Sequence, residues 1–386
     1  MSKVLLKNIG KIISGDIADP ILQGNAILIE EGKIKQFGRE GDLDAAGAEM
    51  VIDCDGATVT PGLFDSHCHT VLGDYTPRQQ QTGFLESEVH GGVTTFISAG
   101  EVHLPGRPKD PAGTKALAIL AAKSFASFRP GGGKVVGGAV ILEKGLTKAD
   151  FEELAKEGVR TVGEIGLGSI KNPEDAAPMV QWAKECGMTV MMHSGGTSIP
   201  GSSTVTAEMV IQTNPDIVSH INGGPTAVAI AEIERLVTET DLALEVVHCG
   251  NPKVAVEAAN LCVANNALNR IIIGNDAPSG TGVVPLGILR VICHLASLTA
   301  IKPEQAICMA TGNTARVHKL PRGIIAEGTE ADLVIMDAPM GSVGQDALSA
   351  IEAGDVPAVA MVLVDGKIVV AKSRNTPPAV RKPRVV

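Results

Sequence analysis

The chain has 386 residues, 44% of them hydrophobic, which is enough for one large domain and a smaller one. Its formal net charge of -10, from 33 lysine and arginine residues against 43 aspartate and glutamate residues, argues against a nucleic-acid partner. No apolar stretch is long enough to span a bilayer, and we expect no signal peptide at Met1. The seven cysteines lack regular spacing, so we expect a cytoplasmic protein without disulfides.

The N-terminal region predicts short β-strands. Apolar residues alternate or cluster at residues 4–7, 26–30 and 32–37, and the pair Glu31-Gly32 predicts a hairpin turn between the last two strands. These strands are too few to bury a core by themselves, so we expect them to pack against another part of the chain.

The segment His67-Cys68-His69 follows the strand-like run at residues 59–66 and supplies the first candidate ligands. Residues two apart on a strand point to the same side, so both imidazoles would project together from the strand's end. Imidazole is a good ligand for zinc, iron and nickel. The pair alone is weak evidence, and its meaning depends on the other candidate ligands.

Five further apolar runs end in a side chain that can bind a metal or carry a proton. Their end points recur every 27 to 29 residues, which is the length of a strand, a helix and two short loops. These end points are Glu164, His193, His220, His248 and Asp276. With strand-like runs at residues 91–100 and 134–142, the predicted strands number eight.

The segments between these strands predict helices. Thr147 is a suitable N-cap for a helix that Gly158 ends, and Asn172-Pro173 begins another that Gly187 ends. Eight alternations of strand and helix predict an α/β fold, a (β/α)8 TIM barrel over residues 61–313. Active sites of such barrels lie at the C-terminal ends of the strands, where the candidate ligands fall.

The C-terminal region again predicts strands, at residues 323–337 and 360–370. We therefore expect residues 1–60 and 314–386 to form one small β-sandwich domain from both ends of the chain. The tail, residues 371–386, is rich in proline, lysine and arginine, and we expect it to be solvated or to lie on a neighbouring subunit.

Three motifs now carry a family resemblance. Residues 59–69, Gly91-Gly92-Val93-Thr94-Thr95 and Ala331-Asp332-Leu333-Val334-Ile335 resemble the amidohydrolase superfamily along the whole chain. Residues 195–204, 220–226 and 274–282 resemble, more narrowly, the enamidases of anaerobic nicotinate fermentation.

The resemblance implies an activity and its cofactors. It implies ring-opening hydrolysis of the cyclic enamide 1,4,5,6-tetrahydro-6-oxonicotinate to 2-formylglutarate and ammonia, within nicotinate degradation. It also implies a homotetramer and a pair of divalent metal ions, zinc and iron.

The resemblance also suggests roles for the candidate ligands. Many binuclear members bridge their metals with a carboxylated lysine at the end of strand four, but residues 160–168 contain no lysine and Glu164 stands there instead. The implied ligands are His67 and His69 for one metal, His193 and His220 for the other, Glu164 as the bridge, and Asp276 as ligand and catalytic proton carrier.

A substrate carboxylate requires hydrogen-bond donors in the pocket. Arg78, Arg107 and Lys109 lie in predicted loops after the first two barrel strands and are candidates, although solvation at the surface is the more common role for each of them. His248 is a candidate substrate contact or, alternatively, a hydrogen-bonded wall residue.

Two other classes of function fit the pattern. One is another cyclic-amide hydrolase, dihydroorotase-like or hydantoinase-like, or a metal-dependent deaminase. The other is a catalytically inactive barrel that serves as an assembly protein. The complete ligand set argues against the inactive barrel, which has no physical need for buried histidines and carboxylates.

Overall fold

The computed structural model describes residues 3–70, 81–102, 104, 106–197, 204–223, 227–278 and 286–386. They form the mixed α/β fold that the sequence predicts. The strands are β1 (Lys3–Lys7), β2 (Lys11–Ile13), β3 (Ile21–Leu22), β4 (Ala26–Glu30), β5 (Lys33–Gly38), β6 (Met50–Asp53), β7 (Thr58–Pro61), β8 (Leu63–Cys68), β9 (Val93–Ser98), β10 (Lys134–Val136), β11 (Thr161–Ile165), β12 (Thr189–Met192), β13 (Ile217–Val218), β14 (Ala243–Val247), β15 (Ile271–Gly274), β16 (Leu333–Asp337), β17 (Ala358–Val364), β18 (Lys367–Val370) and β19 (Arg384–Val385).

The first eight α-helices of the described residues alternate with the central strands along the chain, one helix after each strand from β8 to β15. They are α1 (Gln81–Val89), α2 (Pro111–Ser127), α3 (Lys148–Lys156), α4 (Pro173–Glu185), α5 (Ala207–Thr213), α6 (Ile230–Glu239), α7 (Pro252–Ala264), α8 (Gly287–Leu298), α9 (Pro303–Cys308), α10 (Thr314–Val317) and α11 (Ala347–Glu352). None of these helices combines the length and the apolar character that a membrane crossing requires.

Eight central strands form two parallel sheets, β10-β9-β8 and β11-β12-β13-β14-β15. Backbone hydrogen bonds join the two sheets at both margins. The Val140 amide donates to the Thr161 carbonyl at 3.1 Å, and the His69 amide donates to the Ala277 carbonyl at 2.9 Å. Because all eight strands are parallel, their carboxyl ends lie on the same side of the sheets.

Every residue of the central strands is buried except Val136 at the end of β10, which explains their nearly continuous apolar sequence. One small apolar cluster contains side chains from both parallel sheets. It includes Ile97, Ala99, Met191, Ile217, Ala243 and Ile272.

Two predicted helix starts are confirmed. Thr147 caps α3, and its amide donates to the Asp150 carboxylate at 2.7 Å. Pro173 is the first residue of α4, where its missing amide hydrogen removes no helical hydrogen bond.

The predicted extent of the third central strand is wrong. The sequence predicts a strand over residues 134–142, but β10 ends at Val136. Gly138 has φ +81°, and a Cβ atom there would lie 2.1 Å from the Ala118 carbonyl oxygen of α2. The close approach of the helix therefore requires glycine and interrupts the strand.

The remaining strands form two sheets that mix both ends of the chain, β19-β6-β1-β4-β5 and β18-β17-β16-β7-β2-β3. The predicted Glu31-Gly32 turn is confirmed, because β4 and β5 pair antiparallel and these two residues have φ +52° and +77°. Both sheets contribute apolar side chains to a single core cluster. Its members include Leu6, Ile12, Ile27, Ile29, Ile52, Val59, Leu333, Ile335 and Leu363.

The C-terminal tail, residues 371–386, is mostly exposed, as the sequence predicts, but it also makes contacts within the chain that the sequence does not predict. Its strand β19 pairs antiparallel with β6. The Arg381 guanidinium also donates to the buried Asp337 carboxylate at 2.5 Å. A sheet edge open to pairing and a buried carboxylate that needs a positive partner together explain why the tail is bound here.

A buried ammonium group connects the first parallel sheet to the flanking strands. Lys134, the first residue of β10, lies 2.6 Å from Glu330, 2.8 Å from Asp332 and 2.7 Å from Asp365. Its side chain is only 7% exposed. Because the Asp332 side chain is only 2% exposed, each charge depends on the other for compensation.

We expect Lys134→Met to lower the free energy of unfolding by about 3–5 kcal/mol, because it leaves buried carboxylates without their cation. The matched control is Arg129→Met, whose guanidinium is 48% exposed and pairs with Asp365 at 2.6 Å. The control substitution should lower the free energy of unfolding by less than about 1 kcal/mol. Urea unfolding followed by circular dichroism measures both, and equal losses would contradict the central role of Lys134.

Candidate metal centre

The six predicted ligand side chains converge at the carboxyl ends of the central strands, and all six are buried. They form two groups of three, and within each group the potential ligand atoms all lie within 4.8 Å of one another. The first group is His67, His69 and Asp276, and the second is Glu164, His193 and His220.

Glu164 lies between the two groups. Its Oε2 atom is 3.8 Å from His67 Nε2, in the first group. Its Oε1 atom is 3.4 Å from His193 Nδ1 and contacts His220 Nε2, in the second group. One carboxylate thus presents an oxygen to each group, which is the arrangement that a ligand bridging two cations requires.

The strands determine where the ligands lie. His67 is in β8 and Glu164 is in β11, whereas the other ligands follow the ends of their strands. His220 and Asp276 have φ +33° and +55°, which is unusual for residues other than glycine. The Asp276 amide donates to the His67 carbonyl at 2.8 Å, so the neighbouring strand fixes this conformation.

Three of the four imidazoles use one ring nitrogen to face the group and the other to contact an oxygen behind it. The facing nitrogens include His69 Nε2, which is 3.3 Å from Asp276 Oδ1. A second ring nitrogen held by an oxygen fixes the tautomer and the ring orientation of a neutral imidazole ligand. The oxygens belong to Glu245 for His67, Gly100 for His69 and Gly196 for His193, at 2.6, 3.2 and 3.2 Å.

The charges of this pocket favour bound cations. Burial alone would lower the pKa of His67, but the carboxylates of Glu245 and Glu164 outweigh it and raise this pKa to about 10. Burial likewise opposes ionisation of Glu164, yet His220 and His67 hold its pKa well below the usual value. Protons and metal ions compete for such donors, so the same electrostatics that attract protons attract divalent cations.

The donor set fits divalent metal ions. His67 Nε2 is buried and has no hydrogen-bond partner among the described residues, although it points between two carboxylates. A buried polar atom without a partner is costly, and a bound cation would satisfy it. Imidazole nitrogens together with carboxylate oxygens are a ligand set that suits zinc and iron.

A supporting layer of polar residues behind the ligands is not predicted from the sequence. Asp65 accepts hydrogen bonds from the amides of His67, at 3.1 Å, and Asn275, at 2.9 Å, and so connects β8 to the end of β15. Burial raises the pKa of Asp65 to about 7. Glu245 was missed as well, although it is the only charged residue in the apolar run at residues 242–247. A lone carboxylate inside a buried strand is the signal that could have revealed it.

The candidates for binding a substrate carboxylate have varied surroundings. The Arg107 guanidinium donates to Glu143 at 2.9 Å, and Lys109 is exposed. Arg78 lies outside the described residues. His248 is partly buried, and burial, together with the positive charges of Arg290 and His294, lowers its pKa to about 4. A substrate role for these four residues stays a prediction.

The fold and the two ligand groups are those expected of a metal-dependent hydrolase. The model of the amidohydrolase family matches residues 58–369, and the chain therefore belongs to this family. Among its relatives, Enamidase from Eubacterium barkeri is 60% identical over 386 residues, which is 100% of both chains. The crystal structure of an enamidase superposes with a TM-score of 0.97 over 100% of both chains, also at 60% identity.

More distant relatives match a smaller part of the chain at lower identity. Imidazolonepropionase from Anaeromyxobacter dehalogenans is 24% identical over 365 residues, covering 82% of this chain and 84% of its own. Adenine deaminase from a Ruegeria strain is 26% identical and covers 82% of this chain, but only 51% of its own.

We expect zinc to raise the thermal stability of the metal-free protein. A cation that binds only the folded state stabilises it by about 2.7 kcal/mol at 100 times its dissociation constant. Glu164→Gln should show a smaller shift in differential scanning calorimetry, because one carboxylate faces both groups.

The control for this experiment is Glu143→Gln. Glu143 is also a buried carboxylate, but it pairs with Arg107 and belongs to neither ligand group. It should keep the zinc-dependent shift of the wild type. A full shift in Glu164→Gln would contradict the assignment of Glu164 to the metal centre.

Proposed function

We propose that this chain is an enamidase, which opens the ring of 1,4,5,6-tetrahydro-6-oxonicotinate and yields 2-formylglutarate and ammonia. The observation that carries the proposal is the 60% identity with an enamidase over the full length of both chains. The buried ligand set supports it, because a shared activity requires the metal centre as well as the fold.

We propose that the six side chains hold two divalent cations, zinc and iron. His67 and His69 would bind one cation and His193 and His220 the other, while Glu164 bridges them and Asp276 completes the first group. The positions of the two carboxylate oxygens of Glu164 support this division. When bound, such cations lower the pKa of a shared water and polarise the carbonyl group of the substrate.

Asp276 is the proposed proton carrier. Its carboxylate is 3.3 Å from His69 Nε2 and 3.7 Å from His67 Nε2, and its side chain is 12% exposed, so it reaches the open side of the group. Burial opposes its ionisation, but the neighbouring histidines lower its pKa, so Asp276 is present as the carboxylate, which is the form that can accept a proton. It would take the proton of the attacking water and deliver it to the departing ring nitrogen.

The chemistry of the leaving group accounts for the products. Breaking the amide C–N bond consumes one water and gives a carboxylate and an enamine. The enamine tautomerises to an imine by protonation on carbon. A second water then releases ammonia and leaves an aldehyde, so two waters are consumed for each ring.

We also propose the finer organisation of the molecule. The eight parallel strands would close into a (β/α)8 barrel over residues 61–313, which the hydrogen bonds at both sheet margins support. Residues 1–60 and 314–386 would form a β-sandwich domain. We propose a homotetramer in the cytoplasm, and the absence of disulfide bonds among the seven cysteines, all of which lie in the described residues, supports a reducing location.

The direct experiment offers metal-loaded enzyme 1,4,5,6-tetrahydro-6-oxonicotinate, dihydroorotate, hydantoin and adenine in parallel. We expect ammonia and an aldehyde to appear together from the first substrate only, with aldehyde detected as its hydrazone. Ring opening of dihydroorotate or hydantoin alone would favour another cyclic-amide hydrolase, and ammonia without aldehyde from adenine would favour a deaminase. Either result overturns the proposal.

We expect Asp276→Asn to lower kcat by about 10²- to 10⁴-fold while the circular dichroism spectrum is unchanged, because the amide cannot accept the proton. The matched control is Asp216→Asn, an aspartate that precedes β13 at the opposite end of the strands and accepts from the Val190 amide at 2.8 Å. The control should turn over normally. Steady-state assays on both variants decide, and an active Asp276→Asn enzyme would remove Asp276 from this role.

A further inference from the structure

Glu245 is a fully buried carboxylate at the centre of β14, next to the proposed metal ligands but not among them. Its Oε1 atom accepts a hydrogen bond from the Ser66 hydroxyl at 2.5 Å. Its Oε2 atom lies 2.6 Å from His67 Nδ1 and accepts the His220 amide hydrogen at 3.3 Å. All three partners lie in the segments that carry the proposed metal ligands, so this buried carboxylate contacts the site from behind.

We propose that Glu245 is a positioning residue that couples the two ligand groups, by orienting the imidazole of His67 and holding the backbone of His220. The inference rests on the proposed metal centre and extends it, because Glu245 itself would touch neither cation. It predicts that one side chain governs the affinity of both cations.

The contact with His67 determines which ring nitrogen is free. In the neutral imidazole that binds a metal ion, only one ring nitrogen carries a hydrogen, and the Glu245 oxygen 2.6 Å from Nδ1 favours the form with that hydrogen on Nδ1 and the lone pair on Nε2. Nε2 is the atom that lies between Glu164 and Asp276 without a hydrogen-bond partner among the described residues. Without Glu245, the other tautomer and other ring orientations become accessible, and the lone pair is no longer directed at the site.

The contact with His220 acts on the second group through the backbone. His220 has φ +33°, in the left-handed region that residues other than glycine rarely adopt. Strained backbone of this kind persists only where its surroundings hold it. The Glu245 carboxylate accepts the His220 amide hydrogen and helps to hold the residue, while the imidazole contacts Glu164.

Ser66 is the third hydrogen-bond partner of the Glu245 carboxylate. The Ser66 hydroxyl donates to Oε1, while Oε2 faces His67 and His220, so both oxygens are engaged by the protein. Glu245 therefore differs from Glu164, whose two oxygens each face a ligand group. From this difference we infer that Glu245 orients metal ligands, whereas Glu164 itself binds the cations.

The experiment measures cation binding directly, by titrating metal-free protein with cobalt(II) and competing with a chelator. We expect Glu245→Gln to weaken the affinity of both sites by about 10- to 100-fold, as loss of a partner behind a metal ligand usually does. The visible absorption of bound cobalt should change too, because the geometry around His67 changes. Wild-type affinity at both sites in Glu245→Gln, or loss at one site only, would overturn the coupling.

Two controls separate positioning from general destabilisation. Ser66→Ala removes the third partner but leaves the contacts of Glu245 with His67 and His220, so its affinity should fall by less than about 10-fold. Asp332→Asn alters another buried carboxylate, which contacts Lys134 near the opposite end of the strands, and it should lower stability but keep both affinities. Weakened cation binding in Asp332→Asn equal to that of Glu245→Gln would contradict the inference.

A measurement on the wild type keeps the inference testable if Glu245→Gln does not fold. In cadmium-loaded protein with ¹⁵N-labelled histidine, His67 should retain a hydrogen on Nδ1 and show coupling of ¹¹³Cd to Nε2. Cadmium coupled to Nδ1 of His67 would overturn the inference. Because none of these readouts uses a substrate, inactivity on the cyclic enamide would remove the proposed function without affecting this test.

Discussion

The structure depends on the parallel arrangement of its central strands, which brings donors that are far apart in sequence to one buried place. Strands that run in the same direction present their carboxyl ends on one side, and hydrogen bonds between neighbours fix their relative heights. Three carboxylates, Glu164, Glu245 and Asp276, thereby become buried beside four imidazoles. Buried carboxylates require positive charge or hydrogen-bond donors, so the fold itself creates a demand for cations at this point.

At the opposite end of the strands, carboxylates are compensated by a side chain of the protein. Three carboxylates there have oxygens within 4.8 Å of one another, but the Lys134 ammonium group lies among them. They belong to Glu330, Asp332 and Asp365. There the protein supplies its own cation, and the cluster connects the central sheet to the flanking strands. At the carboxyl ends, the neighbouring groups are imidazoles, which bind metal ions when neutral. This difference explains why only one of the two carboxylate clusters is a candidate metal centre.

The sequence predicted which side chains the structure brings together at the candidate metal centre, but not the residues that hold them in place. The two histidines of the His67-Cys68-His69 pattern and four of the five regular end points lie there, because strand periodicity translates directly into position. The fifth end point, His248, belongs to neither ligand group. Glu245 was missed since its role depends on contacts with two other strands, which no local pattern encodes. The predicted extent of β10 was wrong, and the contacts of the C-terminal tail within the chain were missed, for a similar reason. The packing of α2 on Gly138 and the pairing of β19 with β6 are tertiary contacts that override local preference.

The central claim is that the six converging side chains hold a pair of cations bridged by Glu164. Anomalous diffraction from crystals of zinc- and iron-loaded protein tests it most directly, since peaks at each absorption edge locate and distinguish the metals. The account predicts two peaks about 3.5–4 Å apart, one beside His67 and His69 and one beside His193 and His220, with Glu164 between them. A single peak, or peaks that lie away from Glu164, would contradict it.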